Sequence, residues 1–337
     1  MKKINVKIVS IFPQHSALWK YAYFLEKELK KNKTYSVEFI DFWKEKKYHN
    51  KFVKTLVLLK GINIKKTEVL ICVAPLLAKS LIKSKAKLKI VIAHDLYPLT
   101  VGKKVSLFEK LLVSITYKYM KHANIILAVS NFCKKDVLKK YGLKNKLSVL
   151  PGGIDHTSFK KLETTKEQLR KKHNLPLKKK ILLHIGRDDH RKNVSFLIKL
   201  LKKLGDDYVL VKIGDINIKK NIILVKNIDE KKLCEIYNAV DLLLFPSLYE
   251  GLGLPPIEAM ACGLPVLAAN KTGLKEVCIE ESLTELNEML WLEKINEILS
   301  NRNLRLNMIK KGLEQSKKFD WKIYANTIKK IIETGLK

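Results

Sequence analysis

Apolar residues in this chain fall into short continuous runs separated by stretches of helical periodicity. That is the pattern of buried parallel strands joined by helices. Residues 4–10 read as a strand and 17–30 as an amphipathic helix, with Leu18, Tyr21, Phe24, Leu25 and Leu29 on one face. Strands are predicted at 37–42, 69–73, 89–94, 125–129 and 148–150, and helices at 107–121 and 134–141, the last stopped by Gly142. Residues 151–179 are punctuated by Pro151, Gly152, Gly153 and Pro176 and carry a helix at 166–173, the composition of a linker and domain entrance. The alternation then resumes, with strands at 181–185, 208–213, 222–225, 242–245 and 265–268. Helices are predicted at 194–204, 231–239, 257–262, 285–300, 302–318 and 320–334. The fold class is α/β, with two Rossmann-like doubly wound parallel-sheet domains over 1–150 and 180–318 and a C-terminal helical segment at 319–337.

One segment concentrates candidate chemistry. Pro246 and Ser247 end the apolar run 241–245, and Glu250, Gly251, Leu252, Gly253, Leu254, Pro255 and Pro256 follow, leading to Glu258. Glycines let backbone approach a ligand closely, and a proline fits the first turn of a helix, where its missing N–H costs nothing. A strand, a glycine turn and a helix N-terminus form a receptor for phosphate or another oxygen-rich anion. Glu250 and Glu258 then stand as separate acceptors for hydroxyl groups. Gly186, Arg187 and Lys192 lie in a second loop, between the strand 181–185 and the helix 194–204, where the two cations can converge on an anion. His94 ends an apolar strand, the position from which α/β proteins present ligand-binding groups.

The Glu250-x7-Glu258 segment closely resembles the donor-binding signature of family-4 glycosyltransferases. Four further stretches resemble that family in the same order: Ala93 to Leu96, Val129 to Phe132, Val149 to Asp155 and Ile185 to Asn193. The resemblance implies the GT-B fold, two Rossmann-like domains facing across a cleft, with the last helix returning to the N-terminal domain. It implies a retaining transfer of a sugar from a nucleotide diphosphate sugar to a glycan or lipid-linked acceptor, a hexosyltransferase reaction. On that reading Arg187 and Lys192 bind the diphosphate, Glu258 the ribose hydroxyls, and Glu250 and His94 act at the sugar. Backbone of Gly251, Leu252, Gly253 and Leu254 contacts sugar or phosphate, while Gly214, Asp215 and Ile228 shape the base pocket. No Asp-x-Asp motif is present, so the resemblance and the residues together imply a donor site without metal and no cofactor beyond the donor itself. The chain departs from many relatives in two places: residues 10–16 contain no glycine, and the stretch after Glu276 is short, running from Cys278 into a helix. Two other readings stand beside transfer: a GT-B epimerase or phosphorylase, and a non-catalytic sugar-nucleotide-binding subunit.

Composition refines the partners. The 337 residues carry a formal net charge of +33, yet only Arg170, Arg187, Arg191, Arg302 and Arg305 of the 66 basic residues are arginine. Nucleic-acid readers use arginine with interleaved aromatics, so nucleic acid is not the expected partner. Lysine excess with no apolar run long enough to span a bilayer suggests an anionic membrane surface. The basic segments 44–54, 79–89, 103–104 and 118–121 of the N-terminal half are the candidate contact. The N-terminus reads as a first strand, and five cysteines isolated in sequence fit reduced thiols, which together suggest a cytoplasmic protein on the inner membrane face.

Overall fold

The computed structural model describes residues 3–14, 16–100, 105–214, 221–226 and 228–337. The chain divides into two compact units: Met1–Gly153 with Trp321–Lys337, and Ile154–Asp320. Each is built on one six-stranded, wholly parallel sheet, the doubly wound α/β class expected.

In the first unit the strands are β1 (Ile4–Ser10), β2 (Tyr35–Asp41), β3 (Val69–Cys72), β4 (Leu88–Ala93), β5 (Ile125–Ala128) and β6 (Leu147–Val149), in the order β2-β1-β3-β4-β5-β6. β3 is buried at every residue, as a strand covered on both faces must be. The helix Ala17–Lys30 packs Trp19, not Leu18, into the core, because the Trp19 indole N–H donates to Asp41 at 2.8 Å. A helix at Lys51–Lys60 was not anticipated; Asn50 caps it, its side-chain oxygen accepting from the Phe52 and Val53 amides at 2.8 and 3.2 Å. The unit is completed from the far end of the chain. The helix Trp321–Gly335 brings Trp321 to stack on Phe24 at 5.1 Å, and sets Trp321 and Tyr324 edge-on to Tyr21 at 5.0 and 5.4 Å.

In the second unit β7 (Lys180–Ile185), β8 (Tyr208–Ile213), β9 (Ile222–Val225), β10 (Leu242–Phe245), β11 (Val266–Ala269) and β12 (Leu283–Thr284) run in the order β12-β11-β10-β7-β8-β9. β12 replaces the direct passage into a helix expected after Cys278; at two residues it is too short to leave a periodicity in the sequence. Residues 154–179 belong to this unit. Their helix, Lys166–Lys172, carries the buried Arg170, whose guanidinium donates to Asp241 at 2.7 Å and to the carbonyls of Ala239, Leu177 and Lys179. Asp241 accepts in turn from the Ile181 amide at 2.7 Å, so one ion pair ties the entering helix to β7 and to the start of β10.

Arg170→Met should destabilise the protein by about 2–3 kcal/mol, because it removes a buried guanidinium that bonds the half-buried Asp241 and several carbonyls, leaving Asp241 only Lys166 as a cation. Chemical denaturation measures this, and a loss below about 1 kcal/mol would place the clamp among dispensable surface pairs.

His184, on β7, is wholly buried with Nδ1 3.0 Å from the Leu244 carbonyl. Burial, then the neighbouring Lys212, pushes its pKa down to about 3. The unfolded chain therefore takes up a proton near pH 6.5 that the native state refuses, and stability falls as pH drops below that value. The fall should reach about 3 kcal/mol by pH 4.5 from this group. His184→Asn should flatten that part of the denaturation profile, and an unchanged slope would remove His184 as its source.

Candidate functional site

In an open parallel sheet the ligand crevice lies beyond the carboxyl ends of two neighbouring strands whose connections depart in opposite directions. In the second unit that point falls between β7 and β10: the chain leaves β7 for β8 and β9 on one side and later fills the other with β10, β11 and β12. The segments that emerge there are 186–193 and 246–253, the same two that stand out in the sequence.

The structure joins them. Lys192 Nζ donates to Glu250 Oε1 at 2.6 Å, with both residues buried, and Arg191 approaches the other carboxylate oxygen at 3.9 Å. The Leu248 amide donates to the Arg191 carbonyl at 2.8 Å, and Asn193 Nδ2 to the Pro246 carbonyl at 3.3 Å. Lys192 reaches its partner by laying its aliphatic stem over Gly186, where a Cβ would lie 3.1 Å from three of its carbons. Its ammonium also sits 4.7 Å from the Phe245 ring. Burial alone would raise the Glu250 pKa, but Lys192 and Arg191 outweigh it and hold the carboxyl below its usual range. Glu250 is thus ionised at neutral pH, a hydrogen-bond acceptor and a negative charge.

The turn after Glu250 is held by a third strand end. The Glu250 amide donates to Thr272 Oγ1 at 3.1 Å, and the Gly273 amide to the Glu250 carbonyl at 3.1 Å. A Cβ on Gly273 would meet the Gly251 carbonyl at 2.3 Å, so only glycine lets the two backbones lie together. The next helix spans Leu254–Ala261, beginning two residues before Pro256, which the sequence places in its first turn. Pro255 and Pro256 therefore fall in its first turn and remove two of its amide donors. Gly251, Leu252, Gly253 and Leu254 are buried where the turn runs into this helix. One turn on, the buried Glu258 accepts from the Tyr237 hydroxyl, 2.9 Å from Oε2, which fixes the carboxylate on the inner face of the helix.

The other candidates take separate places. Gly214, at φ +104°, leaves β8 with its backbone against Gly186, where a Cβ would meet the Gly186 carbonyl at 2.3 Å. Ile228 is half-buried ahead of the helix Glu230–Ala239, and Asp215 lies outside the described residues. Arg187 is exposed on the β7 loop. His94 belongs to the first unit, at the end of β4, where Nε2–H donates to the Val73 carbonyl at 2.7 Å and the ring meets Tyr21 edge-on at 4.5 Å. Burial pushes its pKa down to about 4, so it is a neutral imidazole at working pH. Three residues of the second unit's site carried no expectation: Arg191, Tyr237 and Thr272. Arg191 was visible only through arginine scarcity, whereas Tyr237 and Thr272 come from elements remote in sequence. Among the described residues no three His, Cys, Asp or Glu side chains gather as metal ligands.

Known proteins resemble the chain across both units. Residues 67–158 match the profile of Glycosyltransferase Family 4, and residues 165–315 that of Glycosyl transferases group 1. TuaC of Bacillus subtilis, provisionally named a teichuronic acid biosynthesis glycosyltransferase, is 30% identical over 160 residues, which are 46% of this chain and 41% of that protein. The chain thus spans about half or less of the curated relatives it first matches, 41%, 51% and 42% of their lengths. Among solved structures, sucrose-phosphate synthase from Thermosynechococcus elongatus superposes with a TM-score of 0.78 at 18% identity, covering 98% of this chain and 99% of that one. Anabaena HepE in complex with UDP-glucose has the same score at 14% identity, covering 98% and 100%. With one profile on each unit and this GT-B architecture throughout, the chain belongs to the family-4-like glycosyltransferases.

Proposed function

We propose that the protein transfers a hexose from a nucleotide diphosphate sugar to a glycan or lipid-linked acceptor, with retention of anomeric configuration. The observation that carries this reading is the buried Lys192–Glu250 pair, with Arg191 beside it, at the β7–β10 switch point. Cations there suit a diphosphate leaving group, and an ionised carboxylate beside them suits sugar hydroxyls and the positive charge that grows at the anomeric carbon. The UDP-glucose bound by the Anabaena relative supports a nucleotide sugar as donor.

In the proposed mechanism Glu258, oriented by Tyr237, receives the ribose hydroxyls, and Gly214 and Ile228 border the base together with Asp215. Lys192, Arg191 and Arg187 take the diphosphate charge, and the Gly251–Leu254 backbone supplies amide donors. The acceptor hydroxyl attacks the anomeric carbon from the face that the phosphate leaves. The carbon–phosphate oxygen bond breaks, the new glycosidic bond forms, and the acceptor proton passes to the departing phosphate. Glu250 is engaged by two cations and serves as positioning charge, not as nucleophile. His94, neutral with Nε2–H committed to Val73, contributes hydrogen bonding and no acidic proton. A screen of nucleoside diphosphate sugars by calorimetry and transfer assay tests the reading. Binding of none overturns it, and release of sugar phosphate or epimerised donor in place of transfer product would give the protein a different reaction.

The two carboxylates should separate in binding. Glu258→Gln should weaken free nucleoside diphosphate about 10- to 100-fold, the worth of hydrogen bonds to a charged group, with Tyr237→Phe shifting affinity the same way by less. Glu250→Gln should leave that affinity within a few-fold while lowering turnover about 100-fold. The opposite pattern in calorimetry would exchange their roles.

Protein cations in place of metal also make a prediction. Transfer should persist in excess EDTA, and Arg187→Ala should cost about 2–4 kcal/mol of transition-state stabilisation. Complete dependence on added Mg²⁺ or Mn²⁺ would refute this.

A further inference from the structure

Large apolar side chains on a soluble surface are ordinary when scattered and informative when gathered. In the first unit they gather on two helices that pack against each other, Lys51–Lys60 and Leu107–Tyr117. Leu107 is 82% exposed, Phe52 71%, Leu111 57%, Phe108 52% and Leu56 38%. Phe52 and Leu56 are four residues apart, as are Leu107 and Leu111, so each pair rides one helix face. This is opposite to what core packing asks: the same helices bury Thr55, Leu58, Val113 and Tyr117 on their other sides.

The charge around this apolar surface is predominantly positive, with Glu45 beside the first helix and Glu109, exposed on the second between Phe108 and Leu111, as the acids. Residues 44–60 hold six lysines against the single acid Glu45. Lys44, Lys46, Lys47 and Lys51 are exposed, and Lys60 ends the helix in the open. Trp43 and Tyr48, both half-buried, sit among them, with Lys54 5.7 Å from the Trp43 ring and Lys47 4.9 Å from that of Tyr48. Protruding leucine and phenylalanine, amphipathic aromatics and a lysine fringe form the composition of a face that enters the boundary between lipid headgroups and acyl chains.

We infer that this face docks on an anionic lipid bilayer, inserting Leu107, Phe108, Leu111 and Phe52 while the lysines meet the headgroups. This deepens the proposed function by giving a lipid-linked acceptor its surface, and rests on that reading for its purpose alone. Two other occupants fit less well. A second copy would set lysine against lysine on a chain of net charge +33. Nucleic acid gives exposed leucines nothing to bury in, and neither 1–153 nor 321–337 contains an arginine to read it. No helix among the described residues is long and apolar enough to cross a membrane, so attachment would be by this face and reversible.

The test is flotation of the full-length protein with vesicles of phosphatidylcholine alone or mixed with phosphatidylglycerol, at low and at physiological salt. The wild type should float with the mixed vesicles only. The triple variant L107S/F108S/L111S should lose at least about tenfold in partitioning at physiological salt, while staying folded with a melting temperature lowered by no more than a few degrees, because those side chains are half exposed or more. M289S/L306S, which removes exposed apolar residues of the second unit, should partition like the wild type. Absence of wild-type flotation, equal loss in both variants, or an L107S/F108S/L111S variant that floats normally would overturn the proposal. So would a dimer that dissociates on the same substitutions. Nucleoside diphosphate sugar binding is measured separately on the same proteins. A chain that binds donor but not vesicles loses only this surface, and one that binds vesicles but no donor loses only the reading above.

Discussion

The second unit is organised around one buried ion pair. A lysine and a glutamate withdrawn from water are costly to house, and each is tolerable because the other is 2.6 Å away. Nearly every local peculiarity of the site serves that meeting. Gly186 lacks a side chain so that the lysine stem can pass, Asn193 takes a left-handed conformation at φ 53° to turn into the next helix, and Thr272 and Gly273 hold the glutamate's own backbone. The pair also spans the seam between β7 and β10, strands separated by more than fifty residues of chain yet adjacent in the sheet. Removing Lys192 leaves Glu250 only the longer contact to Arg191, and removing Glu250 leaves a buried ammonium without its carboxylate, so the site is robust when whole and fragile to single changes.

Much of this was legible in the residues. Strands buried on both faces announce themselves as apolar runs, unbroken in β3 and β10 and interrupted by a single polar residue within β7 and β8, and all four were readable for that reason. The glycine turn was legible because glycines and prolines at such density have few other uses. Long-range pairing was not. Nothing in the order of Arg187, Arg191 and Lys192 says which of them turns toward Glu250; a three-residue helical turn at His190–Lys192 decides it, bringing Arg191 and Lys192 to the carboxylate. Tyr237 looks like one more apolar position of its helix until the fold sets its hydroxyl against Glu258. Trp19 displaced Leu18 from the core through a hydrogen bond to a strand twenty-two residues away, and the helix Lys51–Lys60 was masked by lysines that give a weak amphipathic pattern.

The few arginines illustrate how geometry can outweigh composition. Lysine fills the surface of this chain, where a compact hydrated charge is enough. Arg170 is buried where one planar group must satisfy a carboxylate and several carbonyls at once, which an ammonium cannot do in that directional fork. The half-buried His94 and the wholly buried His184 follow a complementary rule: each spends its N–H on a backbone carbonyl of a neighbouring strand or its end and stays uncharged.

The helix Trp321–Gly335 gives the chain an order of birth. Its aromatic residues close the core around Tyr21 and Phe24, yet they leave the ribosome only after Ile154–Asp320, which is one uninterrupted stretch. During synthesis the first unit therefore cannot close its core until the second has been translated in full. The usual sequence, amino-terminal domain first, is inverted for its final step. Ile154 and Asp320 bridge where the chain departs and returns, so folding of the later-made unit itself brings the two crossing points together and delivers the missing helix to the first unit.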